Sequence, residues 1–86
     1  MNCELTGRPD AEKHHIMSKA RWKSSAEIPE NIIYLNPDLH RLGGNAVHNL
    51  GVDSFAEKYG LERRFQEARW AVMMDSVEKA VARVRN

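Results

Sequence analysis

Residues 12–49 read EKHHIMSKARWKSSAEIPENIIYLNPDLHRLGGNAVHN, and the reading of this stretch decides the fold. It holds all four histidines of the protein: His14, His15, His40 and His48. Between the two pairs stands Asn31, followed by the apolar run Ile32, Ile33, Tyr34 and Leu35. Imidazole is a common ligand of divalent metal ions, so a small chain that gathers its histidines into one stretch points to a metal site. Adjacent side chains on a strand face opposite ways. His14 and His15 therefore do not both ligate one ion from a regular strand; one faces the metal and the other faces a substrate.

Working outward, Ala11–Met17 reads as a short strand with the histidine pair at its centre. Ser18–Glu30 is polar and reads as irregular, since Pro29 biases its predecessor away from the helical region. Asn31–Leu35 is rich in β-branched residues and bounded by Pro29 and by Asn36-Pro37, which predicts a second strand pairing with the first as a hairpin. Asn36-Pro37-Asp38 is a turn and Gly43-Gly44-Asn45 a break. Ala46–Leu50 reads as a short helix ending at Gly51. Ser54 with Glu57 has capping-box spacing and Gly60 is a C-terminal stop, so a further short helix is expected over Ser54–Tyr59. Across Leu61–Arg85, the residues Leu61, Phe65, Ala68, Val72, Met73, Val77, Ala80, Val81 and Val84 recur at three- and four-residue steps, which predicts one long amphipathic helix. Glu62 at its start and Arg83 and Arg85 at its end suit the helix dipole.

Eighty-six residues make one domain near the lower end of what folds unaided. A bound ion would add stability, because binding energy at a preformed site is also folding energy. Thirteen Lys and Arg against twelve Asp and Glu leave a net charge of +1, so any nucleic-acid contact must come from local clustering. The single cysteine, Cys3, excludes an intramolecular disulfide and reads as a small buried hydrophobe. No apolar stretch is long enough to span a membrane, and MNCELTGRPD lacks the features of a signal peptide; the expected compartment is the cytoplasm.

The order His-His, Asn, His, His resembles the HNH nucleases, and in particular their small phage-type members. Asn31-Ile32-Ile33-Tyr34-Leu35 is similar to that family's second strand. Val47-His48, Phe55 and Lys58-Tyr59-Gly60 resemble the tail of the small members, and Cys3 with Thr6-Gly7 resembles their opening. The resemblance covers roughly the first fifty-five residues by a loose motif. It implies an α+β fold: a ββα-metal hairpin-and-helix core over residues 1–51, with a helical extension over 52–86 ending in the long C-terminal helix. It also implies metal-dependent hydrolysis of DNA phosphodiester bonds. By position, His14, His40 and His48 become ligands of one divalent ion, His15 the general base that activates water, and Asn31 the residue that fixes the loop between the strands.

Neutral imidazole suits Zn²⁺, Ni²⁺ or Co²⁺, whereas Mg²⁺ and Mn²⁺ prefer oxygen ligands. The family is found with several divalent ions, so Zn, Ni, Mg and Mn all stay open. Two features depart from the pattern. His40 and His48 are eight residues apart, where many members place the pair four apart on one helix. Eight helical steps would turn the second side chain about 80° out of line, so Gly43-Gly44 must loop back to return His48 to the ion; otherwise Asn45 or Asn49 substitutes. The paired CxxC motifs of many members are also missing.

Lys19, Arg21 and Lys23 read either as a solvated loop with Trp22 folded onto the core, or as phosphate contacts with Trp22 near a base. Arg63, Arg64 and Arg69 read as a solvated helix face, and Met73 and Met74 beside Trp70 as core. Two rivals to the nuclease stand: a non-catalytic DNA-binding or metal-stabilised module, and an interaction protein forming a homodimer through the Leu61–Arg85 helix.

Overall fold

The fold is seen in a computed structural model that describes residues 1–85. It is a small α+β arrangement of two antiparallel strands and four helices. Strand β1 (Glu12–His15) pairs with β2 (Ile32–Leu35) in the register Glu12↔Leu35 through His15↔Ile32. Alternation follows the pleat: His14, Ile33 and Leu35 are buried, while Lys13 is exposed. β1 is shorter than the predicted Ala11–Met17, and Asn31 ends it. The Ile16 amide still bonds the Asn31 carbonyl at 2.9 Å, but the Met17 amide bonds the Asn31 side-chain oxygen instead, at 2.7 Å.

The segment read as irregular is more ordered than expected. Ser18 caps a single helical turn, α1 (Lys19–Trp22), its Oγ accepting from the Arg21 amide at 3.3 Å. Two 3₁₀ turns follow, over Lys23–Glu27 and Pro29–Asn31. Pro29 opens the second one, since at a first position its missing N–H costs nothing. Ile28 before it is extended, as the residue preceding proline must be.

After β2 the chain turns at Asn36-Pro37 into a π-helical turn, Asp38–Leu42. Asn36 is buried and caps it: its Oδ1 accepts from the Leu39 amide at 3.0 Å, and its Nδ2 donates to Thr6 Oγ1 at 3.0 Å. The Gly43 amide closes the π-turn on the Asp38 carbonyl at 3.0 Å. Helix α2 (Val47–Leu50) begins one residue later than predicted, with Ala46 as its N-cap residue. Helix α3 (Val52–Tyr59) begins two residues earlier than the capping-box reading, so Ser54 lies inside it and makes no cap. The expected stop holds, with Gly60 at φ +68°, a left-handed conformation that favours glycine.

Among the described residues, helix α4 (Glu62–Arg85) buries apolar side chains only in its first half. Phe65 and Ala68 are buried against Phe55, Ile33 and the rest of the core, and Val72 is buried one turn further along. Phe55 stacks on Phe65 at 6.3 Å and meets Tyr59 at 4.7 Å. The expected single amphipathic stripe is two stripes. At 100° per residue, Trp70, Met73, Met74, Val77, Val81 and Val84 centre about 155° from Phe65, Ala68 and Val72. They are exposed, Trp70 at 66% and Val77 at 55%, so Met73 and Met74 are not core. Arg64 is no solvated residue either: its guanidinium donates to the carbonyls of Glu30 at 2.6 Å and Ile32 at 2.8 Å, clamping α4 to the start of β2. Arg63 pairs with Glu67, and Arg69 with Asp53. Cys3 is buried, as expected.

Candidate metal centre

Three of the four histidines converge. His14 comes from β1, His40 from the π-turn and His48 from α2. One ligand atom from each lies within 4.8 Å of the others. The ring centroids are 5.1 Å apart for His14–His40, 5.0 Å for His14–His48 and 4.6 Å for His40–His48. The eight-residue gap is closed by the loop that the glycines predict. Gly43 ends the π-turn at a point where a Cβ would come within 2.7 Å of the Asp38 carbonyl oxygen, so the close approach requires glycine. Asn49 does not replace His48; its Nδ2 donates to the Gly43 carbonyl at 2.7 Å and the Arg41 carbonyl at 3.3 Å, stapling the loop. His48 Nε2 thereby reaches His40 Nε2 at 2.9 Å.

The donor set fits a divalent ion. His14 is 8% exposed, and its Nε2 has no hydrogen-bond partner among the described residues. Native proteins rarely leave a buried ring nitrogen unpaired, and a metal bond is one way to satisfy it. Burial, with smaller repulsions from His40, His48 and His15, lowers the His14 pKa to about 4, so its ring is neutral at pH 7, the form that ligates. Tetrahedral coordination at ~2.0–2.1 Å spaces ligand nitrogens ~3.3 Å apart, a small adjustment from the 2.9 Å contact of His40 and His48. Three imidazoles favour Zn²⁺, Ni²⁺ or Co²⁺ over the oxygen-seeking Mg²⁺ and Mn²⁺. His48 is exposed, which leaves room beside the three rings for a water or a substrate oxygen.

Glu12 supports the cluster and was not singled out from the sequence. Its Oε1 contacts His40 Nδ1 at 2.9 Å, which leaves Nε2 of that ring to face His48. Arg41 holds the same carboxylate through two nitrogens, Nε at 3.0 Å and Nη2 at 3.0 Å. Arg41 first and His40 second lower the Glu12 pKa to about 2. A signal existed: Glu12 is two residues before His14, hence on the same face of β1.

His15 lies outside the cluster. Its Nε2 contacts Glu27 Oε1 at 2.7 Å, and Glu27 also pairs with Lys13 at 3.1 Å and Lys19 at 3.4 Å. Lys13 first and His15 second lower the Glu27 pKa to about 2. Glu27 reaches His15 because Asn31 holds the intervening loop. Asn31 is fully buried; its Nδ2 donates to the carbonyls of Met17 at 3.1 Å and Ala26 at 2.8 Å. All its amide capacity is thus spent on backbone, which makes it a positioning residue. No spacing in the sequence marks Glu27, since the contact depends on the path of that loop.

Of the three basic loop residues, Lys19 is engaged by Glu27. Arg21 stands over the Trp22 ring at 5.6 Å, and Lys23 donates to the Ala20 carbonyl at 2.8 Å. All three are exposed. No family model, no curated protein and no solved structure matches the chain.

Proposed function

We propose that this chain is a metal-dependent endonuclease of the HNH, ββα-metal kind that hydrolyses DNA phosphodiester bonds. One observation supports the reading most: three imidazoles converge on one point, while the fourth histidine, next to His14 on the same strand, is oriented separately by a carboxylate. A divalent ion held by His14, His40 and His48 would supply Lewis-acid stabilisation of the charge on the phosphate and the leaving oxygen. Glu27 accepts from His15 Nε2–H, which leaves Nδ1 as the proton acceptor. His15 takes a proton from the attacking water as the water oxygen bonds to phosphorus, the P–O bond to the leaving sugar oxygen breaks, that oxygen takes a proton from solvent, and His15 returns its own proton to solvent. Lys19, Arg21 and Lys23 contact phosphates beside the reacting one. The cytoplasm suits a chain whose single thiol has no partner. Among the described residues, no helix is long and apolar enough to cross a membrane.

The test is a plasmid-cleavage assay with Mg²⁺, Mn²⁺, Ni²⁺ and Zn²⁺ against an EDTA control. Cutting by at least one ion, abolished by EDTA, is expected. Stoichiometric metal binding with no cutting under any ion replaces the nuclease by a non-catalytic, metal-stabilised module.

A homodimer through the α4 helix is the second part of the proposal. Its support is the solvent-facing stripe Trp70, Met73, Met74, Val77, Val81 and Val84, whose three- and four-residue steps match those of a helix that pairs with another helix.

A further inference from the structure

A second feature lies away from the histidines. A cleft of about 550 Å³ runs between the α1–3₁₀ segment and the tail of α4. Arg21, Trp22 and Lys23 line one wall; Lys79 and Arg83 line the other. Lys79 ties the walls together, its Nζ donating to Ser24 Oγ at 2.9 Å. Four cations line this cleft, yet the whole chain carries a net charge of only +1. Elsewhere several bases pair with acids: Arg8 with Asp10 and Asp38, Arg41 with Glu12, Arg69 with Asp53. In the cleft only Lys79 has a carboxylate partner among the described residues, Asp75 at 2.9 Å.

The backbone at Lys23 adds an independent observation. Its φ of 55° and ψ of −131° make it the single non-glycine residue with positive φ among the described residues. That conformation is the first central position of a type II′ turn, where glycine is normal and a side chain is strained. Glycine would relieve the strain. The Lys23 ammonium group lies on the cleft wall, where it donates to the Ala20 carbonyl at 2.8 Å.

We infer that this cleft seats the sugar-phosphate backbone of a single nucleic-acid strand, with a base stacked against Trp22. Cations along both walls, with an aromatic ring on one of them, are what sequence-tolerant single-strand binding uses. Lys79 and Arg83 are four residues apart on α4, about 6 Å along the axis, and so meet successive charges of an extended polyanion rather than one isolated phosphate. The 3₁₀ turn that begins at Lys23 in the cleft ends at Glu27, the partner of His15. A strand leaving the cleft along this turn arrives at the candidate base. In that respect the inference rests on the nuclease reading and adds a strand-holding site to it.

The experiment is fluorescence-anisotropy titration of a labelled oligo-dT with the full chain in EDTA, where no metal-dependent cutting occurs, repeated over a salt series. The wild type should bind. Lys79→Ala/Arg83→Ala should weaken binding at least tenfold and lower the salt slope by about 1.4, the loss of two single-strand phosphate contacts. Lys23→Gly should also weaken binding, while its melting temperature stays level or rises; that variant keeps the test independent of folding. Wild-type affinity and slope in both variants would overturn the inference, as would displacement of the strand by polyglutamate of equal charge as effectively as by unlabelled DNA. Binding without cutting by any ion removes the nuclease and leaves the cleft standing; cutting with groove variants that bind normally removes the cleft and leaves the nuclease.

Discussion

His15 and its neighbour His14 are adjacent on one strand yet meet different partners, and substitutions should separate them. His14→Ala and His40→Ala are expected to lose both metal and cleavage, because each removes one of three converging nitrogens. His15→Ala should keep metal and fold while cleavage falls by roughly 10²–10⁴, the usual contribution of a positioned base. Metal content by elemental analysis, beside cleavage rate, decides it: an ion lost from His15→Ala makes His15 a ligand. Glu12→Gln should weaken metal binding by about 10–100-fold, since the partner of a ligating histidine sets its orientation and basicity. Asn31→Ala strips three hydrogen bonds from buried or partly buried backbone groups. It should cost at least about 1–3 kcal/mol, readable as a lower denaturation midpoint; an unchanged midpoint would deny Asn31 its positioning role. Asn31 was legible in the sequence because it stands at the entry to an obvious strand. Glu27 was not, because a carboxylate in a thirteen-residue loop carries no spacing signal.

Elements meet the site through two joints, the glycine loop and α4. Gly43→Ala would force a Cβ against the Asp38 carbonyl, which has to move, and α2 moves with it. The expected cost is about 1–3 kcal/mol, with weaker metal binding because His48 rides on α2. Gly44→Ala, with nothing within 4 Å of its Cβ position, is the control and should bind metal as wild type. For α4, truncation after Gly60 is not a usable test of dimerisation, since it removes Phe65, Ala68 and Val72 from the core. Val77→Glu/Val81→Glu places charges on the outer face alone. Light scattering should show a wild-type dimer and a folded monomeric variant; a wild type that stays monomeric at high concentration ends the dimer proposal.

The whole molecule should respond to pH through its buried imidazole. His14 binds a proton near pH 6.5 when unfolded and only near pH 4 when folded. Between those values the unfolded chain holds the extra proton, so stability rises with pH across that window and falls as the solution is acidified from 6.5 toward 4. Glu12 and Glu27, drawn down to about 2, act in a lower window, their contribution fading as pH drops from about 4.5 toward 2. Melting curves in EDTA should show both losses, and His14→Gln should lack the first. Saturating metal should raise the melting temperature of the wild type at neutral pH. An excess of a hundred dissociation constants is worth about 2.7 kcal/mol, and the gain should shrink on acidification because protons compete with the ion for the ligand nitrogens.

The resemblance in residue order pointed to the three histidines that gather and to the amide that holds the intervening loop; the sequence by itself determined the hairpin, the long C-terminal helix and the glycine break between His40 and His48. These are set by local rules: β-branched runs bounded by prolines, three- and four-residue apolar steps, and glycines where the chain must come close to itself. Tertiary structure alone decided the rest. Periodicity in α4 shows apolar residues but not which of two opposed faces meets the core; the packing of Phe65, Ala68 and Val72 chose, and left Trp70 through Val84 in solvent. Ser54 has a capping sequence, yet Gly51 at φ +88° starts α3 two residues sooner, because the turn out of α2 leaves the backbone already aligned. Glu27 and Glu12 acquire their histidine partners only when residues 12 and 28 positions apart in the chain are brought together, which no local pattern encodes.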